Sequence, residues 1–285
     1  MADQLTPTHA VHSRLESSIG PLAALVGSPA DDPRAVVLLV PGYTGSKEDF
    51  APIIDPLVAE GFVTIAIDQP GQFESPGPDD ETAYTPRALG LVIASVVAGF
   101  ALDHPVLLLG HSFGGLVSRE AVLAGADVSG LVLLCSGPAA FVSGNRFDAL
   151  TAGAPVLREQ GPQSLYDNGQ RAAGADPDDP HPLARFYRRR FLESSRAGLL
   201  GMGGALLTEP DRTAELASAL AGRGTPVAVV AGEADDAWPL PAQCAMAQTL
   251  GSELLLIPGG AHSPAVEAPQ ALLDVLLPLF SSWTH

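Results

Sequence analysis

Short, continuous runs of apolar residues recur along this chain, and they constrain its fold more than any other feature. A strand that helices cover on both faces reads as an unbroken apolar run, whereas a strand with one face in water alternates apolar and polar residues. Most of these runs adjoin a segment of helical length, which is typical of a mostly parallel sheet with helices on both faces. The sequence therefore predicts an α/β fold with strands at 36–40, 63–67, 106–109, 131–134, 227–230 and 254–257.

The segments between the runs predict helices, several of which begin with proline or an acidic residue in the first turn. Residues 1–34 are expected to add one or two short edge strands. The predicted helices span 49–60, 86–102, 113–124, 242–250 and 269–283.

The alternation of strands and helices is interrupted once, between Gly137 and Thr225, where there is no strong apolar run. A connection inside a compact domain rarely exceeds ~12–15 residues, so this segment is too long for a loop. We expect residues 138–224 to form an inserted, mainly helical cap, and residues 1–137 and 225–285 to form the core.

Composition narrows the classes of partner. The chain has 285 residues with 15 Lys and Arg against 32 Asp and Glu, a net charge of −17, so it repels nucleic acid and anionic lipid. Its first residues lack the basic and apolar regions of a signal peptide. The longest apolar segment, 88–102, is shorter than the ~20 residues that span a bilayer. We expect a cytoplasmic protein with a small-molecule substrate and leave its oligomeric state open.

Ser112 lies at the carboxyl end of a predicted buried strand, in Gly110-His111-Ser112-Phe113-Gly114, and a helix is predicted to follow it directly. Loops at this edge of a parallel sheet gather the chemistry of such folds. A nucleophile on a sharp strand-to-helix turn needs small neighbours, which Gly110 and Gly114 provide. The flanking strand and helix favour a nucleophile over a serine that only caps a helix.

A serine nucleophile requires a base that an acid orients, and in this architecture the chain order is serine, acid, histidine. His262 follows the last predicted strand directly and is the candidate base, whereas His111 is expected to pack or to form a hydrogen bond. Asp235 is the preferred acid because it comes just after the strand at 227–230, and Asp236 stays open as the alternative.

The tetrahedral intermediate of acyl transfer also needs two backbone N–H donors for its oxyanion. Phe113, the residue after the nucleophile, supplies one. The loop that follows the first strand, Pro41-Gly42-Tyr43-Thr44-Gly45, is expected to supply the other through the amide of Tyr43.

Taken together, these residues resemble the alpha/beta-hydrolase family over nearly the whole chain, from Val36 to Trp283. The similarity includes the nucleophile elbow GHSFGG, the acid motif from Gly232 to Pro239, and an Asp-x-x-Gly-x-x-x-Ser loop at 68–75. In that loop Phe73 stands where the family has glycine, which is expected to narrow the pocket.

The resemblance implies a serine hydrolase that cleaves a carboxylic ester without metal or organic cofactor. Lactones, thioesters, carbon–carbon bonds and perhydrolysis stay open because the same triad serves them and the fold does not choose. A non-catalytic ligand-binding protein on a hydrolase scaffold is the alternative of another class. Six aromatic residues of the predicted cap suggest an apolar ligand: Phe141, Phe147, Tyr166, Phe186, Tyr187 and Phe191.

Overall fold

Eight strands form the centre of the computed structural model, which describes residues 2–284. They are β1 (Val11–Leu15), β2 (Leu22–Gly27), β3 (Ala35–Val40), β4 (Phe62–Ile67), β5 (Val106–His111), β6 (Gly130–Leu134), β7 (Val227–Gly232) and β8 (Leu254–Ile257). The sheet order is β1-β2-β4-β3-β5-β6-β7-β8, with β1 and β2 antiparallel to their neighbours and all other pairs parallel. The predicted α/β fold is confirmed, and the edge strands expected in residues 1–34 are β1 and β2.

The helices surround this sheet. They are α1 (Ala51–Ala59), α2 (Pro86–Ala98), α3 (Phe113–Leu123), α4 (Asn145–Ala172), α5 (Pro182–Glu193), α6 (Arg196–Thr208), α7 (Thr213–Arg223), α8 (Leu240–Thr249), α9 (Pro264–Glu267) and α10 (Pro269–Trp283). Short 3-10 turns occupy Lys47–Phe50 and Glu81–Tyr84. The helix predicted at 49–60 therefore begins as a 3-10 turn. The helix predicted at 86–102 ends earlier, at Ala98, and the N–H of the next residue, Gly99, donates a hydrogen bond to the carbonyl of Val96.

Two apolar layers sandwich the sheet, and β3 shows how the sequence divides between them. Val36 and Leu38 face the layer that contains α2 and α3, whereas Val37 and Leu39 face the layer that contains α1 and α10. All four side chains are buried. Because successive residues of a strand point to opposite faces, a strand buried on both faces must be apolar throughout.

The helices α4–α6 lie between β6 and α7 in the chain. α4 is broken at Gly161, where φ is 85°, and Pro162 follows. A hydrogen bond joins the chain just before α4 to the end of α6: Phe141 N–H donates to the carbonyl of Leu206 over 2.8 Å. In contrast, α7 packs against α3 and α8 on the sheet. None of the helices within residues 2–284 combines the length and apolarity that crossing a bilayer requires.

The parallel strands bring distant parts of the chain to one edge of the sheet. Val40 of β3 pairs with Gly110 of β5, and Leu134 of β6 pairs with His111. The loops that follow β3, β5, β7 and β8 therefore meet at this edge, and the candidate functional residues lie on these four loops.

Candidate active site

Ser112 occupies a strained turn between β5 and α3, with φ 55° and ψ −120°. A residue other than glycine adopts a positive φ only where its surroundings enforce it. Here a Cβ on Gly110 would overlap the carbonyl oxygen of Gly114, and a Cβ on Gly114 would overlap that of Val40. Both glycines are thus required by close backbone contacts, as the sequence predicted.

The structure joins Ser112, His262 and Asp235 in one row of hydrogen bonds. His262 Nε2 lies 2.9 Å from Ser112 Oγ, and His262 Nδ1 lies 2.8 Å from Asp235 Oδ1. An ionised carboxylate only accepts, so Nδ1 carries a proton and Nε2 is free to accept from the serine hydroxyl. Asp236, the alternative acid, does not contact His262; its side chain is 67% exposed and pairs with Arg146.

Asp235 is held ionised by several donors. Its side chain is fully buried. Burial alone would raise the pKa of Asp235, but the hydrogen bond and charge of His262, the N–H of Ala237 and the amide of Gln243 outweigh it and lower the pKa. Gln243 Nε2 donates to Asp235 Oδ2 over 2.8 Å and to the carbonyl of Trp238 over 3.0 Å. No sequence pattern indicates this role for Gln243, because a single glutamine inside a helix such as α8 belongs to no local motif.

His111 and Cys135 support the other side of the His262 loop. His111 Nε2 lies 2.6 Å from the carbonyl oxygen of His262, which confirms the hydrogen-bonding role expected for it. Burial, and then the neighbouring His262, lower the pKa of His111 to about 4, so its ring is neutral and donates. Cys135 Sγ lies 3.6 Å from the carbonyl of Ala261 and accepts from Gly232 N–H. Burial raises the pKa of this thiol.

The amides of Tyr43 and Phe113 are without an acceptor among residues 2–284. Phe113 is the first residue of α3, whose amino-terminal N–H groups have no partner in the helix. Tyr43 follows Gly42, and a Cβ on Gly42 would lie 3.0 Å from Ser112 Cβ. Two free donors therefore flank the serine.

Two buried glutamines hold the loop that carries Tyr43. Gln69 Nε2 donates to the carbonyl of Pro41 over 2.8 Å, and Gln72 Nε2 donates to the carbonyl of Gly42 over 2.7 Å. Their loop is recognisable in the sequence from Asp68, but no local pattern indicates a role for either glutamine.

A cavity of about 930 Å³ opens over Ser112 and His262. Apolar residues of α4–α6 and Tyr43 form one wall: Leu157, Leu165, Phe191, Leu199 and Leu200. Three ion pairs, each with its arginine on α4 or α5 and its carboxylate on another part of the chain, also line it: Arg146–Asp236, Arg158–Glu81 and Arg190–Asp49.

The aromatic residues of the predicted cap divide into two groups. Phe141, Tyr166, Tyr187 and Phe191 line the cavity. The other two pack elsewhere: Phe186 packs edge-on against Phe73, with ring centroids 5.9 Å apart, and Phe147 packs against the apolar layer that contains α2 and α3. The expectation that Phe73 narrows the pocket is wrong, because its ring points away toward Phe186 and Lys47.

Within the described chain, potential metal ligands come together in threes at one place. These are Cys135, Asp235 and His262, whose donor atoms lie within 4.8 Å of one another. Asp235 and His262 already bond to each other, so the cluster has no free ligand set. That the site needs no cofactor stays a prediction.

This chain is similar to a known lipase in sequence and to known esterases in structure. The chain is 28% identical over 264 residues to a monoacylglycerol lipase of Mycolicibacterium smegmatis, which covers 87% of this chain and 88% of that protein. It resembles the structure of an Exiguobacterium antarcticum esterase (TM-score 0.74, 20% identity, 95% of this chain and 100% of that chain). A thermophilic esterase from Thermogutta terrifontis is similar (TM-score 0.73, 21% identity, 97% and 100%). The model of the alpha/beta hydrolase family matches residues 37–275. With this match and the sheet described above, the chain belongs to the alpha/beta hydrolase family.

Proposed function

We propose that this protein is a serine hydrolase that cleaves carboxylic esters through an acyl-enzyme on Ser112. One observation carries the proposal: the ring of His262 bridges Ser112 Oγ and Asp235 Oδ1 on the wall of a large cavity. A serine, a histidine and a buried carboxylate, bonded in this order, are the parts of a nucleophile with its base.

The geometry supports a two-step reaction. Ser112 Oγ attacks the acyl carbon while His262 Nε2 takes its proton, and the amides of Tyr43 and Phe113 bind the oxyanion. His262 returns the proton to the departing alcohol, which leaves an acyl group on Ser112. Water, deprotonated by His262, then attacks the ester carbon, and the acid product leaves as Ser112 regains its proton. Asp235 stays ionised throughout and stabilises the imidazolium.

We propose that residues 138–224 cap this site and bind the acyl chain. The apolar wall made by α4–α6 favours an extended hydrocarbon group, and the name of the lipase relative points to a fatty acyl ester. Within this segment α7 packs on α3 and α8, which supports α4–α6 as the part that covers the site. The cytoplasmic location stays a prediction of the sequence.

The test is labelling with a fluorophosphonate probe, located by mass spectrometry, together with turnover of p-nitrophenyl esters of increasing chain length. We expect a single adduct on Ser112, abolished in Ser112→Ala and strongly slowed in His262→Ala. Ser218→Ala, on the exposed face of α7, is the matched control and should label normally. A well-folded wild type that neither labels nor turns over any ester would favour the ligand-binding alternative. Labelling with turnover of thioesters or lactones alone would keep the mechanism and change the substrate.

A further inference from the structure

We infer that Gln72 is a positioning residue that aims the Tyr43 amide at the oxyanion; this rests on the proposed acyl transfer. Gln72 contacts no reacting atom. It acts on the peptide bond between Gly42 and Tyr43, whose carbonyl accepts from Gln72 Nε2 over 2.7 Å.

The planarity of the peptide bond carries this effect to the amide. In a trans peptide the C=O and the following N–H point in opposite directions, and the described chain has no cis bond. The Gly42 carbonyl is fixed by Gln72 on one side and also accepts from Gly45 N–H over 3.0 Å. The Tyr43 N–H must therefore point away from Gln72, and no described residue accepts from it. If the peptide turned over, the carbonyl would occupy the position of the donor.

The amide of Gln72 has only one workable orientation. Its Oε1 accepts from the backbone N–H of Gln69 over 3.1 Å, which leaves Nε2 for the Gly42 carbonyl. Rotating the amide by half a turn would place oxygen against oxygen and NH₂ against N–H. The side chain is 2% exposed, so water does not compete for these groups.

The loop that carries Gln72 is itself fastened to the start of α6. Ser195 N–H donates to the carbonyl of Gly71 over 2.8 Å, and Phe73 N–H donates to Ser194 Oγ over 3.1 Å. Phe73 has φ 37°, a backbone conformation that residues other than glycine rarely adopt. The two hydrogen bonds and the packing of the Phe73 ring on Phe186 hold the turn in this conformation. The Gln72 amide consequently has a fixed origin from which to orient the peptide.

Gln69 provides a matched control in the same loop. It is buried like Gln72 and donates in the same way to the carbonyl of Pro41 over 2.8 Å. However, it fixes the preceding peptide, whose N–H belongs to Gly42 and is not an oxyanion donor. Replacing either glutamine by methionine removes one buried amide of equal size.

The experiment compares Gln72→Met, Gln72→Glu and Gln69→Met with wild type on a p-nitrophenyl ester. It also measures the inhibition constant of an alkyl trifluoromethyl ketone, whose adduct with serine carries an oxyanion. For both Gln72 variants we expect kcat to fall by about 10- to 10³-fold, the upper limit being the loss of a whole oxyanion donor. KM should change by less than about threefold, and the ketone should bind more weakly in proportion to the loss in kcat/KM.

Gln69→Met should lose several-fold less kcat than Gln72→Met. It should also lower the melting temperature less, because the Gln69 side chain makes one hydrogen bond and the Gln72 side chain makes two to backbone groups. Weaker ketone binding in proportion to the loss in kcat/KM is what separates the positioning role of Gln72 from this difference in stability. The inference would be overturned by Gln72 variants with wild-type kcat and ketone affinity, or by equal losses in Gln72→Met and Gln69→Met. Gln72→Met covers the case in which the buried charge of Gln72→Glu prevents folding. Turnover and Ser112 labelling of the wild type test the proposed hydrolase by themselves. The ratios of kcat and of ketone affinity between variant and wild type test the role of Gln72.

Discussion

Replacing Asp235 by asparagine tests whether its negative charge, and not only its shape, drives the proposed reaction. Asp235 Oδ1 lies 2.8 Å from His262 Nδ1, and the carboxylate is fully buried. When His262 becomes positive in the transition state, charges roughly 4 Å apart at an effective dielectric of about 20 attract by about 4 kcal/mol. Losing this attraction corresponds to about a 10³-fold slower reaction.

The hydrogen bonds around Asp235 add to the loss. Oδ1 accepts from Ala237 N–H over 3.0 Å, and Oδ2 accepts from Gln243 Nε2 over 2.8 Å. Both carboxylate oxygens thus face donors, and the NH₂ of an asparagine would oppose one of them in either orientation. We therefore expect kcat/KM to fall by at least about 10³-fold, with the asparagine also disturbing the alignment of His262.

The assay is kcat/KM on a short p-nitrophenyl ester together with the rate of fluorophosphonate labelling. Asp236→Asn is the matched control, because the Asp236 side chain is exposed and its ion pair is with Arg146 and not with His262; its activity should stay within about threefold of wild type. Retention of more than about a tenth of the activity in Asp235→Asn would refute the electrostatic argument. A large loss in Asp236→Asn with none in Asp235→Asn would make Asp236 the acid.

Three further predictions concern stability and substrate choice. His111 has its pKa lowered to about 4 from 6.5, chiefly by burial, so the unfolded state binds more protons and stability is lost as pH falls through this interval; wild type should lose about 3 kcal/mol relative to His111→Gln in urea unfolding between these pH values, and parallel profiles would contradict this. Gly114→Ala should lower the free energy of unfolding by at least about 2 kcal/mol because its Cβ would overlap the Val40 carbonyl, whereas Gly222→Ala, with open space in α7, should raise it by about 0.5–1 kcal/mol; equal effects in thermal or urea unfolding would argue against the packing. Leu200→Trp enlarges a side chain of the apolar wall and so narrows the cavity. It should lower kcat/KM for a dodecanoyl ester by about tenfold more than for a butanoyl ester; an unchanged chain-length preference would place the acyl chain elsewhere.

The parallel sheet was predictable because burial on both faces requires continuous apolar runs, and such runs are visible in the letters alone. The edge strand β1 was harder to recognise because most of its residues are exposed, so it lacks an unbroken apolar signal. The helix ends were also less certain. Turns such as the one after Ala98 depend on a few backbone hydrogen bonds that many sequences can form.

Ser112 and His262 could be proposed from the sequence because the roles proposed for them need a particular local context, a strand end followed by a tight turn. The position of Asp235 after its strand favoured it over Asp236 but left both open, since neighbouring residues differ in direction and the sequence does not fix which one turns inward. The structure turns Asp235 toward His262 and Asp236 toward Arg146.

The class of fold, the edge of the sheet at which the loops meet, and the serine and histidine on those loops follow from hydrophobic pattern and chain order, which are one-dimensional information. The groups that hold this serine and histidine in place depend on the three-dimensional arrangement of the loops. Gln72 bonds to the carbonyl of Gly42, in the loop that carries Tyr43, from 30 residues away, and His111 bonds to the backbone of His262 across 151 residues. Such contacts depend on how separate loops converge in space, and the residues that form them are ordinary amides and rings with no local pattern of their own.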